Sequence, residues 1–239
     1  MSDGQAGNNT KFDLLVDFTA KLKAGALSEE EVKLFLQRRN PFKLERAGTG
    51  PRALGGRARK KLLTPWIAYW GDLYKVKLDL RELAIPVTRP GFGRLIIEAP
   101  GVTINRRFDV CAKQFTCWRY TADLDASVTR NDRFGTEKPH AIWVRDGVEA
   151  DAEWKNCSAN DLEDKKVQGI SLPERLDLEL KYFLETGKHL DSVNITLCSG
   201  SRYSGGYVPL VYWYYGKLSV HWYDADGAHE HLRAREVVS

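Results

Sequence analysis

Three groups of side chains in this sequence are of types that do chemistry. Around the segment HAIWVRDG stand Asp123, Asp125, Asp132, His140, Arg145, Asp146, Glu149 and Asp151, which could supply paired carboxylates and an imidazole for acid–base catalysis or metal-assisted hydrolysis. Asp146, followed by Gly147, stands where a strand end presents a catalytic side chain. Near the C-terminus His221, His229 and His231 are interleaved with Asp224, Asp226 and Glu230, donors suited to a transition metal or a hard cation. Each set has a plainer reading. Asp123 and Asp125 suit helix starts, Asp146-Gly147 suits a turn, and DADGAHEH suits a polar loop, so no metal and no cofactor is expected.

The third group is a charge run. Between Arg38 and Lys61 lie nine basic residues and a single acid, Glu45. That local excess of +8 sits in a chain whose net charge is +4, so the remainder carries −4. Arg38, Arg39, Arg57, Arg59, Lys60 and Lys61 are the residues expected to contact nucleic acid, by neutralising phosphates and releasing counterions without choosing a sequence. The plain alternative is a solvated tether. The glycines of GTGPRALGGRARKK do not form a nucleotide-binding loop, because they lack the order G-x-x-x-x-G-K-[ST] and do not lie between a strand and a helix.

Four cysteines, Cys111, Cys117, Cys157 and Cys198, are too sparse for a disulfide framework, and their spacing is not that of a zinc site. They read as small buried hydrophobes. The loop SGSRYSGG, with Arg202, has the glycines and hydroxyls to admit an anion, yet reads first as a long hairpin loop. Trp213, Tyr215 and Trp222 would make a stacking platform if their rings are exposed.

The elements that must position these groups follow from periodicity. KFDLLVDFTAKLKA, with Gly25 behind it, and SEEEVKLFLQRR, with Ser28 and Glu31 as a capping box, predict a helical hairpin over residues 1–40. Residues 41–61 break all periodicity and predict a basic flexible linker. Thr64-Pro65 predicts the start of the next helix. Beyond it a domain over 62–239 is expected, with strands at RLIIEAPG and HAIWVRDG and helices opening at Thr103, Ser158 and Ser171. The last of these stops at Gly187, and the strand-rich end NITLCSG, YVPLVYWYYG and KLSVHWYDADG turns at Gly216-Lys217. The fold class is therefore α+β: an N-terminal helical hairpin, a basic linker, then a mixed sheet with packed helices and a C-terminal antiparallel hairpin.

RPGFGRLIIEAPG, FDVCAKQFTCWRYTADLDASVTRND, AIWVRDGVEADAEWKNCSANDLEDK, ISLPERLDLELKYFLETGKHLD and TLCSGSRYSGGYVPLVYW, with the tail LRAREVVS, together resemble a family of uncharacterised proteins from small-genome candidate-phyla bacteria of metagenomic origin. The resemblance covers most of the chain and implies no activity, fold or catalytic residue. The residues themselves lead to a binding protein that contacts nucleic acid through the basic stretch. A hydrolase built on the His140/Asp146 set or on the C-terminal histidines is the competing class, and a module docking another protein through the N-terminal hairpin is the third. A mean hydropathy of −0.43 and the lack of any long apolar run argue against a membrane, and a cytoplasmic location is expected.

Overall fold

A computed structural model describes residues 56–133 and 137–239, together with Lys21, Ala24 and Gly25. The chain divides into two compact units between Arg52 and Ala53, and the second holds all the elements that follow. The expected N-terminal hairpin, apart from those three residues, and Arg38 and Arg39 lie outside the described residues.

The unit is α+β. Its helices are α1 (Gly56–Tyr74), α2 (Ile104–Ala112), α3 (Leu124–Ser127), α4 (Ala159–Asp164) and α5 (Leu172–Thr186). Its strands are β1 (Arg94–Glu98), β2 (Cys117–Arg119), β3 (Val128–Asn131), β4 (His140–Val144), β5 (Ile195–Leu197), β6 (Ser201–Tyr203), β7 (Val208–Tyr214), β8 (Lys217–Tyr223), β9 (Leu232–Ala234) and β10 (Val237–Val238). They form a three-stranded sheet in the order β1-β4-β10, a five-stranded sheet in the order β2-β8-β7-β5-β9, and the pair β3-β6. The five-stranded sheet is mixed: β7 runs antiparallel to β8 and β5, while β2 and β9 lie parallel to β8 and β5.

Local chemistry explains most element ends. Thr103 opens α2 by accepting from the Arg106 amide at 3.2 Å. Ser158 and Asp161 close a reciprocal cap on α4 at 3.0 and 2.9 Å. Glu174 accepts from the Ser171 amide at 2.8 Å, and Gly187, at φ 67°, ends α5 in the left-handed conformation that glycine adopts without penalty.

Two expectations are corrected. α1 begins at Gly56, two turns before Thr64, so residues 56–61 of the expected linker are helical. The apolar face of Trp66, Tyr69 and Trp70 continues backward through Leu63, which is buried, and Arg59 anchors the preceding turn. Thr64 is not the cap; its hydroxyl donates to the Lys60 carbonyl at 2.9 Å inside the helix. The hairpin turn is Tyr215-Gly216, not Gly216-Lys217, because Tyr214 pairs with Lys217 and both intervening residues have positive φ.

The main core gathers α1, β1, β4, α2, α5 and one face of the β7-β8 hairpin; a smaller one lies between α4 and β5, β7 and β9. α5 runs through the middle, and its charged residues Glu174, Arg175, Asp177 and Glu179 are buried along with its leucines. Among the described residues, no helix is long and apolar enough to cross a membrane.

Candidate nucleic-acid interface

Four of the six basic residues proposed from sequence fall in the first two turns of α1. Arg57, Lys60 and Lys61 are exposed. Arg59 is half-buried, and its guanidinium donates to the carbonyls of Leu80 and Leu83 at 2.8 and 2.7 Å, which pins the chain after α1 to the helix start. It is a structural residue and leaves the candidate set. The remaining three stand where the unsatisfied amides of a helix start already carry positive character, with no acidic residue in the first turn to offset it.

Among arginines, Arg57 stands apart from the rest of the unit, whereas exposed lysines such as Lys113, Lys155 and Lys188 resemble Lys60 and Lys61 in having no ion pair among the described residues. Of the thirteen arginines between Arg81 and Arg235, eleven pair with carboxylates. Arg106 and Arg233 instead donate to the carbonyls of Tyr74 and Ala150. Among the described residues, Arg57, Lys60 and Lys61 form no ion pair.

The charged set around β4 does not gather into one site; of its members only Arg145 and Asp151 form an ion pair with one another among the described residues. Asp123 caps α3, accepting from the Ala126 amide at 3.0 Å and from Asn105 Nδ2 at 2.7 Å, and these bonds hold its carboxyl below the usual range. Asp125 accepts from the Ile104 amide at 2.6 Å and so supports the start of α2. Asp132 pairs with Arg130, Asp146 with Arg94 at 2.7 Å, and His140 with Glu174 at 3.3 Å. Arg145 bridges Asp151, Glu153 and Glu236, and Glu149 ties down the turn before β5 by accepting from the Asn194 amide at 2.8 Å. His140 opens β4 and Asp146 lies two residues beyond its other end, and the five residues of strand between His140 and Val144 alone span roughly 13 Å. A shallow depression of about 520 Å³ is lined by Thr103, Ile104, Asp125, Val128, Thr129, Arg130 and Asn131, and of the proposed set it includes Asp125 alone. Of the charged set around β4, Arg145 and Asp151 pair with one another, while His140 and Asp146 are engaged with different partners, Glu174 and Arg94.

Of the C-terminal histidines, His229 and His231 are neighbours and His221 is engaged elsewhere. The His221 ring stacks on Trp118, His229 packs against Tyr223 and accepts from the His231 amide, and His231 lies 3.7 Å from Glu230. Burial and the neighbouring His231 lower the pKa of His229. Among the described residues, no group of three His, Cys, Asp or Glu side chains could hold a metal ion. The four cysteines are free. Cys111 and Cys198 are buried, which pushes their thiols up, and burial raises Cys117 to about 12.

The loop SGSRYSGG is structural. Gly200 crosses Gly169 so closely that a β-carbon on Gly200 would lie 2.6 Å from the Gly169 carbonyl. Ser201 Oγ accepts from the Leu172 amide at 2.8 Å and thereby caps α5, while Arg202 pairs with Glu163 at 3.1 Å.

Sequence reasoning missed the buried charge network on α5. Arg107 Nη2 donates to Glu98 Oε2 and its Nε to Asp177 Oδ2, both at 2.6 Å, while Tyr69 and Tyr74 donate to Asp177 Oδ1 at 2.7 and 3.0 Å. Burial foremost, then the facing Asp177, pushes the Glu98 carboxyl well above the ordinary range, and its Oε1 has no hydrogen-bond partner. Burial opposes ionisation of Glu174 too, yet the guanidinium of Arg133 at 2.8 Å outweighs it and holds that carboxyl low. On the other side of the helix Arg175 donates to Asp191 and Glu179 at 2.8 and 2.9 Å, and Arg235 donates to Asp191 at 2.7 Å. The signal was present as charges of both signs between the leucines of LPERLDLELK; an apolar stripe accounts for one side of that helix only.

No family model matches the chain, and neither a curated protein nor a solved structure matches it.

Proposed function

We propose that this protein binds nucleic acid without sequence choice, through cations at the start of α1 and in the basic stretch that precedes it. One observation carries the reading: Arg57, Lys60 and Lys61 are three exposed cations within five residues of a helix start, without ion-pair partners among the described residues, and Arg57 differs in this from every arginine between Arg81 and Arg235, each of which meets a carboxylate or carbonyl. Clustered at a helix start, they repel one another and the helix dipole, and a phosphate relieves both. The binding free energy is then chiefly counterion release. A cytoplasmic location is part of the same reading, and the four free thiols fit it.

The test is a titration of short duplex and single-stranded oligonucleotides, of unrelated sequences, at two salt concentrations. Binding that is strong at low salt, falls with salt and ignores sequence is expected. Absence of binding at low salt, where screening is weakest, would return the basic stretch to a solvated tether.

A further inference from the structure

The register of the five-stranded sheet fixes which side chains share a face. Trp118 lies opposite Ser219, Ser219 opposite Tyr212, and Lys217 opposite Tyr214. Since side chains alternate along each strand, Trp118, Tyr212, Tyr214, Lys217, Ser219 and His221 stand on one side. Val211, Leu218 and Val220 stand on the other, inside the main core. Trp213 belongs to that inner side as well: its ring stacks on His189 at 3.3 Å between centroids, so it drops out of the platform expected from sequence.

Toward β5 and β9 the outer face is covered, where Leu197, Leu210, Leu232 and Ala234 pack against Ala159 and Leu162 of α4. Toward β2 that cover ends. Trp118 is 41% exposed and Tyr214 53%, and the rings are already ordered against one another. Trp118 stacks on His221 at 5.6 Å with planes 27° apart, Lys217 Nζ lies 5.9 Å from the Trp118 ring centre, and Tyr212 and Tyr214 lie 6.4 Å apart. Ser219, the small residue in the middle row, is buried.

The turn adds a further ring. Tyr215 sits at φ 46° in a two-residue turn whose first position favours Asn, Asp or Gly, so a tyrosine there strains the backbone. Its side chain is 84% exposed and packs at 4.0 Å on Tyr214.

The charge of this surface is one-sided. Neither Tyr207–Tyr223 nor Cys117–Thr121 contains an aspartate or glutamate, and Lys217 and His221 stand among the rings. A sugar polymer needs carboxylates or carboxamides to meet its hydroxyls, and neither is on this face. A nucleotide offers the flat π surface of its base to the rings and its phosphate to the lysine. In a duplex those base surfaces are hidden by their neighbours, so the occupant must be unpaired. The outer strands β2 and β7 are two strand spacings apart, about 10 Å, which leaves room for more than one base.

We propose that the outer face of β2-β8-β7 is a stacking platform for unpaired bases of single-stranded nucleic acid. This rests on the reading of the chain as a nucleic-acid-binding protein and specifies its strandedness. The experiment uses the full chain and fluorescently labelled single strands of about twelve nucleotides, with the matching duplex, in anisotropy titrations. Three variants are compared with the wild type: Trp118→Ala, Tyr214→Ala, and the triple change Arg57→Gln, Lys60→Gln, Lys61→Gln; thermal melts confirm that each is folded. The wild type should prefer single strands. Loss of one stack should weaken single-strand binding by roughly 5- to 150-fold and leave duplex binding within about twofold, and Trp118→Phe should restore most of it. The triple variant should weaken single strand and duplex alike.

Equal affinity for single strand and duplex, unmoved by Trp118→Ala, would overturn the platform and leave the basic reading standing. Single-strand binding that survives the triple variant and vanishes in Trp118→Ala would uphold the platform and overturn the basic reading. No binding to either strand form at low salt would overturn both.

Discussion

Arg175, midway along the domain in α5, and Arg57, in the first turn of α1, are the same side chain under opposite conditions. Arg175 is fully buried and meets two carboxylates, Asp191 and Glu179. Arg57 is exposed and meets none among the described residues. A guanidinium removed from water is tolerated only with close counter-charges, so Arg107, with Asp177, and Arg175 and Arg235, with Asp191, are engaged within the fold. At the start of α1 desolvation is absent and the cations remain available. The comparison separates charge that holds the fold from charge free to meet a partner, a distinction that composition cannot make.

The largest expected effect breaks the buried side. Asp191→Ala leaves Arg175 and Arg235 facing one another without their shared carboxylate, and urea denaturation should show a loss of about 3–5 kcal/mol. A loss below about 1 kcal/mol would mean that the network relaxes and is less firmly engaged than its ion pairs imply.

The exposed side comes next. Replacing Arg57, Lys60 and Lys61 by Gln should make the dependence of log K on log salt shallower by about 2–3 units, at just under one unit for each phosphate no longer neutralised, while stability holds or rises slightly because like charges leave the helix start. A large drop in stability would show that these cations belong with the buried class.

Glu98 sharpens the comparison through pH. Its pKa in the folded protein is raised, mainly by burial, so the folded state keeps a proton that the unfolded chain releases above about pH 4.3. The stabilisation is complete below that unfolded value and is lost as pH rises toward the raised folded one. Glu98→Gln should therefore remove a decline of up to about 1.4 kcal/mol per pH unit above pH 5 from the stability profile. An unchanged profile would indicate that Glu98 is ionised within the fold.

The smallest effect tests the boundary between the two classes. Arg59 shares the helix start with Arg57 but donates to Leu80 and Leu83, so Arg59→Gln should cost about 1 kcal/mol of stability and leave the salt slope of binding unchanged. A change in slope without loss of stability would move Arg59 back to the binding set.

Sequence by itself determined the elements whose causes are local. β1 and β4 are apolar runs, α2, α4 and α5 open on capping side chains, α5 stops at Gly187, and the Val- and Tyr-rich end forms the β7-β8 hairpin, all from residues within a few positions of one another. Tertiary structure decided the rest. β2, β6, β9 and β10 are two or three residues long, too short for any period, and exist because a distant strand pairs with them. The added turns of α1 depend on Arg59 reaching carbonyls more than twenty residues on. The fate of each charge was likewise non-local: Arg107 meets Asp177 across 70 positions and Arg235 meets Asp191 across 44. Which aromatic rings face outward followed from register, since pairing with β8 puts Trp118 and Tyr212 on the open side and leaves Trp213 within. Propensity and capping act between neighbours and are written in the order of residues; desolvation and pairing depend on which distant residues share a space, and only the folded chain brings those together.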